Sequence, residues 1–291
     1  MDVMTLEAPA TPRATPVPWT AIVFFSALLL LAFYDVLAGM LDEWLNDGDM
    51  GHGLAVPPFA AYVAWRARDR LLALPRSHSA WGFALIAWGG LQLAAGTLGA
   101  EMFVARTALV ITLAGIVLAL GGFPLFRALA FPLFALLFMV RIPNILYLQV
   151  TFPLQLFASA VASSVLTWID IPVFREGNIL HLANRDLSVV DACSGIRSLL
   201  TLTFLSLVYA YLFDEKPWMR AVLFVLTIPI AVAANAFRVT MTGIVSAYKP
   251  ELAEGTLHEL EGGMIFFLAV LCMFAAHHAI EFAWNRLKRT A

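Results

Sequence analysis

Residues 102–120 read MFVARTALVITLAGIVLAL, a run of nineteen residues with a single charge. A helix of about 20 apolar residues crosses the hydrocarbon core of a bilayer, which is about 30 Å thick. The whole chain has the same character, since 61% of its 291 residues are hydrophobic and only 13% are charged. Soluble domains carry about 25% charged residues. The composition therefore excludes an ordinary soluble enzyme, a disordered chain and a secreted disulfide scaffold, and it predicts an integral membrane protein.

Further apolar runs predict an all-α fold, a polytopic transmembrane helix bundle with about eight crossings. Besides 102–120, the predicted spans are residues 20–40, 54–65, 81–98, 123–140, 194–213, 218–245 and 262–284. The run at 54–65 is short and opens with Pro57 and Pro58, which a helix accepts in its first turn. Residues 144–168 are apolar enough to cross, but we expect Pro153 to break them into two half-helices that enter and leave on the same side.

The distribution of lysine and arginine predicts the orientation, because short cytoplasmic loops carry the excess of basic residues. Basic residues cluster after the second predicted span, in the loop after residue 213 and at the end of the chain: Arg66, Arg68, Arg70, Arg76, Lys216, Arg220, Arg286, Lys288 and Arg289. The loop 41–52 has four acidic residues and no basic one. We therefore expect both termini to be cytoplasmic, with tails at 1–19 and 286–291 flanking a transmembrane domain at 20–285.

One segment, residues 171–190, is rich in charged and polar residues. It contains Arg175, Glu176, Asn178, His181 and Asp186. The run 175–178 resembles a turn, and residues 178–182 and 187–190 resemble short strands. The pattern predicts a small extracytoplasmic hairpin that leads directly to Cys193.

Three residues form a candidate catalytic set on the outer side of the membrane. Arg238 lies within an apolar run, where a charge is costly without a partner or a task, and Asn235 and Thr242 share its helix face. Cys193 precedes a predicted helix, whose N-terminus lowers a thiol pKa, and Arg197 follows four residues later. His258 lies in the next outer loop. A thiol, an imidazole and a guanidinium are the components of a cysteine acyl-transfer site.

Simpler interpretations exist for each of these residues. Arg238 can extend its charged end to the interface, Cys193 can be a small buried residue, and His258 can be a solvated loop residue. Other site classes find little support. In a zincin motif that begins at His258, the fifth position is Gly262 instead of histidine, and no G-x-S-x-G elbow is present. We expect no metal and no cofactor, and the lack of a basic face argues against nucleic acid as a partner.

These motifs resemble those of the exosortase/archaeosortase family. Residues 191–199, DACSGIRSL, resemble its cysteine signature, and residues 235–239, NAFRV, resemble its arginine motif. His258, followed by Gly262 or Gly263 and Phe266, resembles its histidine motif. Gly51-His52-Gly53 with Pro57 resembles the N-terminal tract of the family, although Met50-Gly51 replaces the usual Tyr-Ser.

The resemblance implies a membrane-embedded thiol protease or transpeptidase of the cell inner membrane, with its active site on the extracytoplasmic side. Cys193, Arg238 and His258 would be catalytic, and the supporting residues would be Ser194, Arg197, Asn235 and His52. The implied substrates are exported proteins with a C-terminal sorting signal, made of a Pro-Glu-Pro motif, a transmembrane helix and a basic tail. Cleavage would pass the new C-terminus to an acceptor such as a lipid or a polysaccharide.

Two other functional classes remain open at the level of sequence. A multispan transporter or channel would use Arg238 and Asp35 to line a pathway and would need no nucleophile. A scaffold subunit of an export machine would keep the fold without the chemistry. Substitution of Cys193 separates the enzyme from both alternatives.

Overall fold

The computed structural model describes residues 19–75, 77–189, 195–214, 216–249, 251 and 256–290, without the side chains at 195–199, 256–259, 261 and 289–290. The chain divides into two compact units. Unit 1 combines Met1–Asp42 with Ala55–Val140, and unit 2 combines Glu43–Leu54 with Arg141–Ala291.

Unit 1 is helical in its described part. Its elements are α1 (Trp19–Ala32), α2 (Tyr34–Asn46, which passes into unit 2), α3 (Val56–Arg66), α4 (Arg68–Leu72), α5 (Ala80–Leu98), α6 (Met102–Ala128), α7 (Ala130–Ala135) and a 3₁₀ helix at Leu136–Met139. The predicted start of a helix at Pro57 and Pro58 is confirmed, because both prolines lie in the first turn of α3.

Helices α5 and α6 pack with their backbones in close contact. Gly82 and Gly96 lie on one face of α5, where an added Cβ would overlap the Ala119 nitrogen at Gly82 and come within 2.5 Å of the Ala105 nitrogen at Gly96. The order of these pairs makes the two helices antiparallel. In lipid, helices associate through such close packing of small residues, because the hydrophobic effect does not drive helices together where the surrounding lipid tails are equally apolar.

Two spans predicted in this part of the chain are broken, which corrects the sequence interpretation. The predicted span 20–40 falls on α1 and α2, which are bent by 71° relative to each other. The predicted span 123–140 is divided among the end of α6, α7 and the 3₁₀ helix. Gly122 lies just before this segment, at the predicted boundary between the spans 102–120 and 123–140, and has a φ of 65°, a conformation that glycine adopts without the steric penalty of a Cβ.

Unit 2 contains the longest helices and a small sheet. Its elements are a 3₁₀ helix at Gly51–Ala55, α8 (Asn144–Trp168), β1 (Val173–Glu176), β2 (Ile179–Leu182), β3 (Asp186–Ser188), α9 (Gly195–Phe213), α10 (Pro217–Tyr248) and α11 (Thr256–Thr290). Across the described residues of both units, five helices are long and apolar enough to cross a membrane, or six if α1 and α2 form one bent span. A helical membrane bundle is confirmed in this form, and the count of eight crossings stays a prediction.

Helix α8 contradicts the prediction of two half-helices. It is a single helix of 25 residues, and Pro153 lies inside it. A membrane helix tolerates proline where side chains and neighbouring helices satisfy the backbone. The hydroxyl of Thr151 donates to the Tyr147 carbonyl at 2.9 Å, and Leu166 packs at Gly243 of α10. The prediction failed because it treated proline as a helix breaker without regard to this packing.

The length of α8 leads to a testable topology. At 1.5 Å per residue it is about 37 Å long, which exceeds the thickness of the hydrocarbon core. We therefore expect reporters fused after Arg141 and after Trp168 to lie on opposite sides of the membrane. The expected total of eight crossings with both termini cytoplasmic is then kept only if the divided segment 123–140 does not cross. Paired alkaline phosphatase and fluorescent protein fusions at both positions measure this. The same side at both positions would restore the re-entrant interpretation.

The polar segment forms a three-stranded antiparallel sheet in the order β1-β2-β3. Arg175 and Glu176 belong to β1 instead of the predicted turn, which lies at Gly177 with a φ of 61°. The Ser159 hydroxyl donates to the Gly177 carbonyl at 2.9 Å, and the Asn184 amide donates to the Ser246 carbonyl at 2.9 Å. Hydrogen bonds therefore connect the sheet to α8 near the turn at Gly177, and to α10 at the loop between β2 and β3. Its location outside the membrane stays a prediction.

A buried polar chain connects the end of α9, and the loop that follows it, to α11. The Tyr209 hydroxyl lies 2.6 Å from Nδ1 of His277, and Nε2 of His277 lies 3.1 Å from the Asp214 carboxylate. Burial raises the pKa of Asp214, but hydrogen bonds from the Lys216 backbone and from His277 outweigh it and hold the pKa below its usual value. Hydrogen bonds to a charged group contribute about 1.5–3 kcal/mol each. This network connects the C-terminal end of α9 to α11, two of the helices that form the candidate site.

Candidate functional site

The described structure reaches the predicted cysteine motif only in part. Cys193 and Ser194 lie outside the described residues, and the description resumes at Gly195, the first residue of α9. Arg197 belongs to α9 and His258 to α11, but the side chains of both are outside the described part. The geometry of the site is therefore that of Arg238, Asn235 and their neighbours.

Arg238 extends from α10 to α11. A Cβ added to Gly262 of α11 would lie 2.8 Å from Nη2, 2.9 Å from Cζ and 3.2 Å from Nη1 of Arg238. All three of these atoms belong to the guanidinium group. The charged end of the side chain therefore rests against the backbone of α11 at Gly262.

A small cavity lies beside this contact and joins three helices. Its lining includes Leu202 of α9, Asn235 and Arg238 of α10, and Gly262 and Phe266 of α11. The cavity measures about 20 Å³, which is the room required by one water molecule. Asn235 and Arg238 supply its polar side chains, so the structure brings together two of the residues predicted for the site.

Arg238 lies deeper in its helix than the sequence suggested. The apolar run was expected to end at residue 245, whereas α10 continues to Tyr248. Arg238 is therefore ten residues from the end of the helix, or about 15 Å. Thr242, predicted to share the polar face, is buried at 1% exposure and is not among the residues that line the cavity.

The chemical capacity of this arrangement comes from the guanidinium. Arginine stays charged and presents up to five donors in a planar fork that matches a carboxylate or an oxyanion. In a site of low dielectric, donors fixed in place stabilise a developing negative charge more strongly than in water. Arg238 can therefore bind a carboxylate or an oxyanion at the boundary between α10 and α11.

Comparison with known protein families identifies the architecture. The family model described as transmembrane exosortase matches residues 44–275. The chain belongs to this family. A search of curated proteins found no match, and neither did a search of solved structures.

Membership of the exosortase family supports a membrane exosortase-type function in a multi-pass membrane protein. The matched region contains Arg238, Asn235 and Gly262 as well as the cysteine and histidine motifs. It begins at residue 44 and so leaves out most of the first bent helix pair. The functional assignments of single residues go beyond the family match.

His52, expected as a supporting residue, lies beside α9. Its ring centre is 6.3 Å from that of Phe204. The adjacent Gly53 lies against the indole of Trp44, since an added Cβ would overlap the Trp44 Nε1. His52 is thus held against α9 but is not among the residues that line the cavity at Arg238.

Arg106 was not singled out from the sequence, and the pairing of His181 with Asp186 was not predicted. Arg106 is only 9% exposed in α6. The sequence could have indicated its importance, because it is the single charged residue in the apolar run 102–120. In the sheet, Nδ1 of His181 lies 2.7 Å from Asp186. That hydrogen bond, together with the charge of Glu176, raises the pKa of His181. Arg106 is a functional candidate, because a charged side chain within a membrane helix is costly without a partner or a task.

Proposed function

We propose that this exosortase-family protein is a membrane-embedded cysteine protease or transpeptidase that acts on exported proteins. It cleaves a C-terminal sorting signal made of a Pro-Glu-Pro motif, a transmembrane helix and a basic tail. It then transfers the new C-terminus to an acceptor, for which a lipid and a polysaccharide are the candidates. The active site faces the extracytoplasmic side of the inner membrane, and both termini are cytoplasmic.

The contact between the Arg238 guanidinium and Gly262 carries this proposal. Position 258 precedes Gly262 by four residues, which is about one turn of α11. Leu202 of α9, the helix that follows Cys193, lines the same cavity as Arg238. The three helices that carry the cysteine, arginine and histidine motifs therefore meet at Arg238, as a shared catalytic site requires.

The proposed chemistry proceeds through a thioester. The Cys193 thiolate attacks the scissile carbonyl carbon, and Arg238 stabilises the resulting oxyanion. When the C–N bond breaks, protonated His258 gives its proton to the leaving amine. Water or an acceptor nucleophile then attacks the thioester and gives its proton to His258, the C–S bond breaks, and the Cys193 thiolate is released. Arg197, Ser194, Asn235 and His52 support the thiolate or position the substrate.

A co-expressed substrate tests the proposal directly. We expect an exported protein with the full C-terminal signal to be shortened in membranes that contain this protein. Immunoblotting and intact mass measurement of the substrate locate the cut. The matched control substrate carries Ala-Ala-Ala in place of Pro-Glu-Pro and should stay at full length. A full-length substrate in both cases would contradict the proposed activity.

A further inference from the structure

The two adjacent glycines of α11 differ sharply in what surrounds them. A Cβ at Gly262 would be within 3.2 Å of three guanidinium atoms of Arg238, whereas a Cβ at Gly263 would have no described atom within 4 Å. Glycine inside a helix costs about 1 kcal/mol relative to alanine. The contact with Arg238 explains why glycine is present at position 262 in spite of that cost, and it gives no such explanation for position 263.

The contact at Gly262 also differs from the helix packing seen elsewhere in the chain. At Gly82 and Gly96 of α5, the atoms nearest to an added Cβ include the backbone of α6. Those glycines let two helices approach each other, as small residues commonly do in membranes. At Gly262 the approaching group is the end of a long, flexible side chain. A methyl group there displaces the guanidinium without forcing the helices apart.

We propose that Gly262 is a positioning residue of the active site. This inference rests on the proposed function, in which Arg238 stabilises the oxyanion. The guanidinium occupies the space that a side chain at position 262 would fill, and α11 thereby holds it one helical turn from His258. An arginine side chain has about 2 kcal/mol of rotamer entropy. Contact with the backbone of α11 on one side reduces the number of positions that the guanidinium can adopt. A displacement of about 1 Å is enough to cost about 10²-fold in rate.

The test compares Gly262→Ala with Gly263→Ala in the full-length membrane protein. Both changes raise the helix propensity of α11 equally, so only the contact with Arg238 separates them. We expect Gly262→Ala to lower kcat and kcat/KM for substrate cleavage by about 10²-fold relative to Gly263→Ala. Equal rates in the two variants, in a system where the unaltered protein cuts the substrate, would overturn the role of Gly262 alone. An uncut substrate with the unaltered protein would overturn the proposed function itself.

A double-mutant cycle distinguishes positioning from packing. In the Arg238→Ala background no guanidinium remains to be displaced, so Gly262→Ala should change the residual rate by less than about twofold. The same large loss in both backgrounds would assign Gly262 to packing. If Gly262→Ala lowers the amount of protein in the membrane, Arg238→Ala should restore that amount. A failure to restore it would likewise overturn the proposal.

Discussion

Replacement of Cys193 by alanine is expected to abolish substrate cleavage, with a loss of about 10⁶-fold. Removal of the nucleophile from a covalent catalytic site costs about this much in rate, because the remaining groups have no thioester to form or resolve. The ratio of shortened to full-length substrate on immunoblots, at matched protein levels, measures the effect.

The chain supplies a matched control for this experiment. Cys272 is a free, exposed cysteine within α11, ten residues beyond Gly262. Cys272→Ala should leave cleavage within about twofold of the unaltered protein, because exposed substitutions away from a site have small effects. Undiminished cleavage in Cys193→Ala would remove the enzyme hypothesis. The transporter and scaffold alternatives, which need no nucleophile, would then account for the fold.

The membrane architecture was predictable wherever a long apolar run coincides with an unbroken helix. Helices α5 and α10 illustrate this, since hydropathy and length alone determine that such a run is a helix in lipid. Prediction failed where the path of the backbone depends on local geometry. Pro153 does not interrupt α8, and the predicted span 20–40 is bent by 71° between α1 and α2. For α8 the outcome depends on packing against α10, which is distant in sequence. The interruption of α6 at Gly122, in contrast, falls at the predicted boundary between the spans 102–120 and 123–140.

The candidate site was predictable to a similar extent. The spacing of Asn235 and Arg238 placed both on one face of a helix, and both line the same cavity. The sequence did not distinguish Gly262 from Gly263, because both satisfy the spacing of the histidine motif. Only the contact with the guanidinium separates them. The packing of one helix against another carries this information, and the periodicity of a single helix contains none of it.

Arg238→Lys is expected to lower the rate of cleavage by about 10²–10³-fold, the usual cost of removing one oxyanion donor. Lysine keeps the positive charge but loses the planar fork of donors. The guanidinium lies against α11 with two nitrogens and Cζ near Gly262, an orientation that a single ammonium group does not reproduce. Kinetic measurement of cleavage, with protein amounts checked by immunoblot, gives the loss in kcat.

Arg286→Lys is the matched control for Arg238→Lys, because it makes the same substitution far from the candidate site. Arg286 stacks over the ring of Phe282 at 4.6 Å near the end of α11, so Arg286→Lys keeps a charge on an apolar stem and should change the rate by less than about twofold. If Arg238 only extended its charge to the membrane interface, lysine would serve equally well there too. Near-normal cleavage in Arg238→Lys would therefore reject bidentate stabilisation and reduce its contribution to a generic positive charge. A large loss at Arg238 with none at Arg286 requires the guanidinium fork at the site where α10 meets α11.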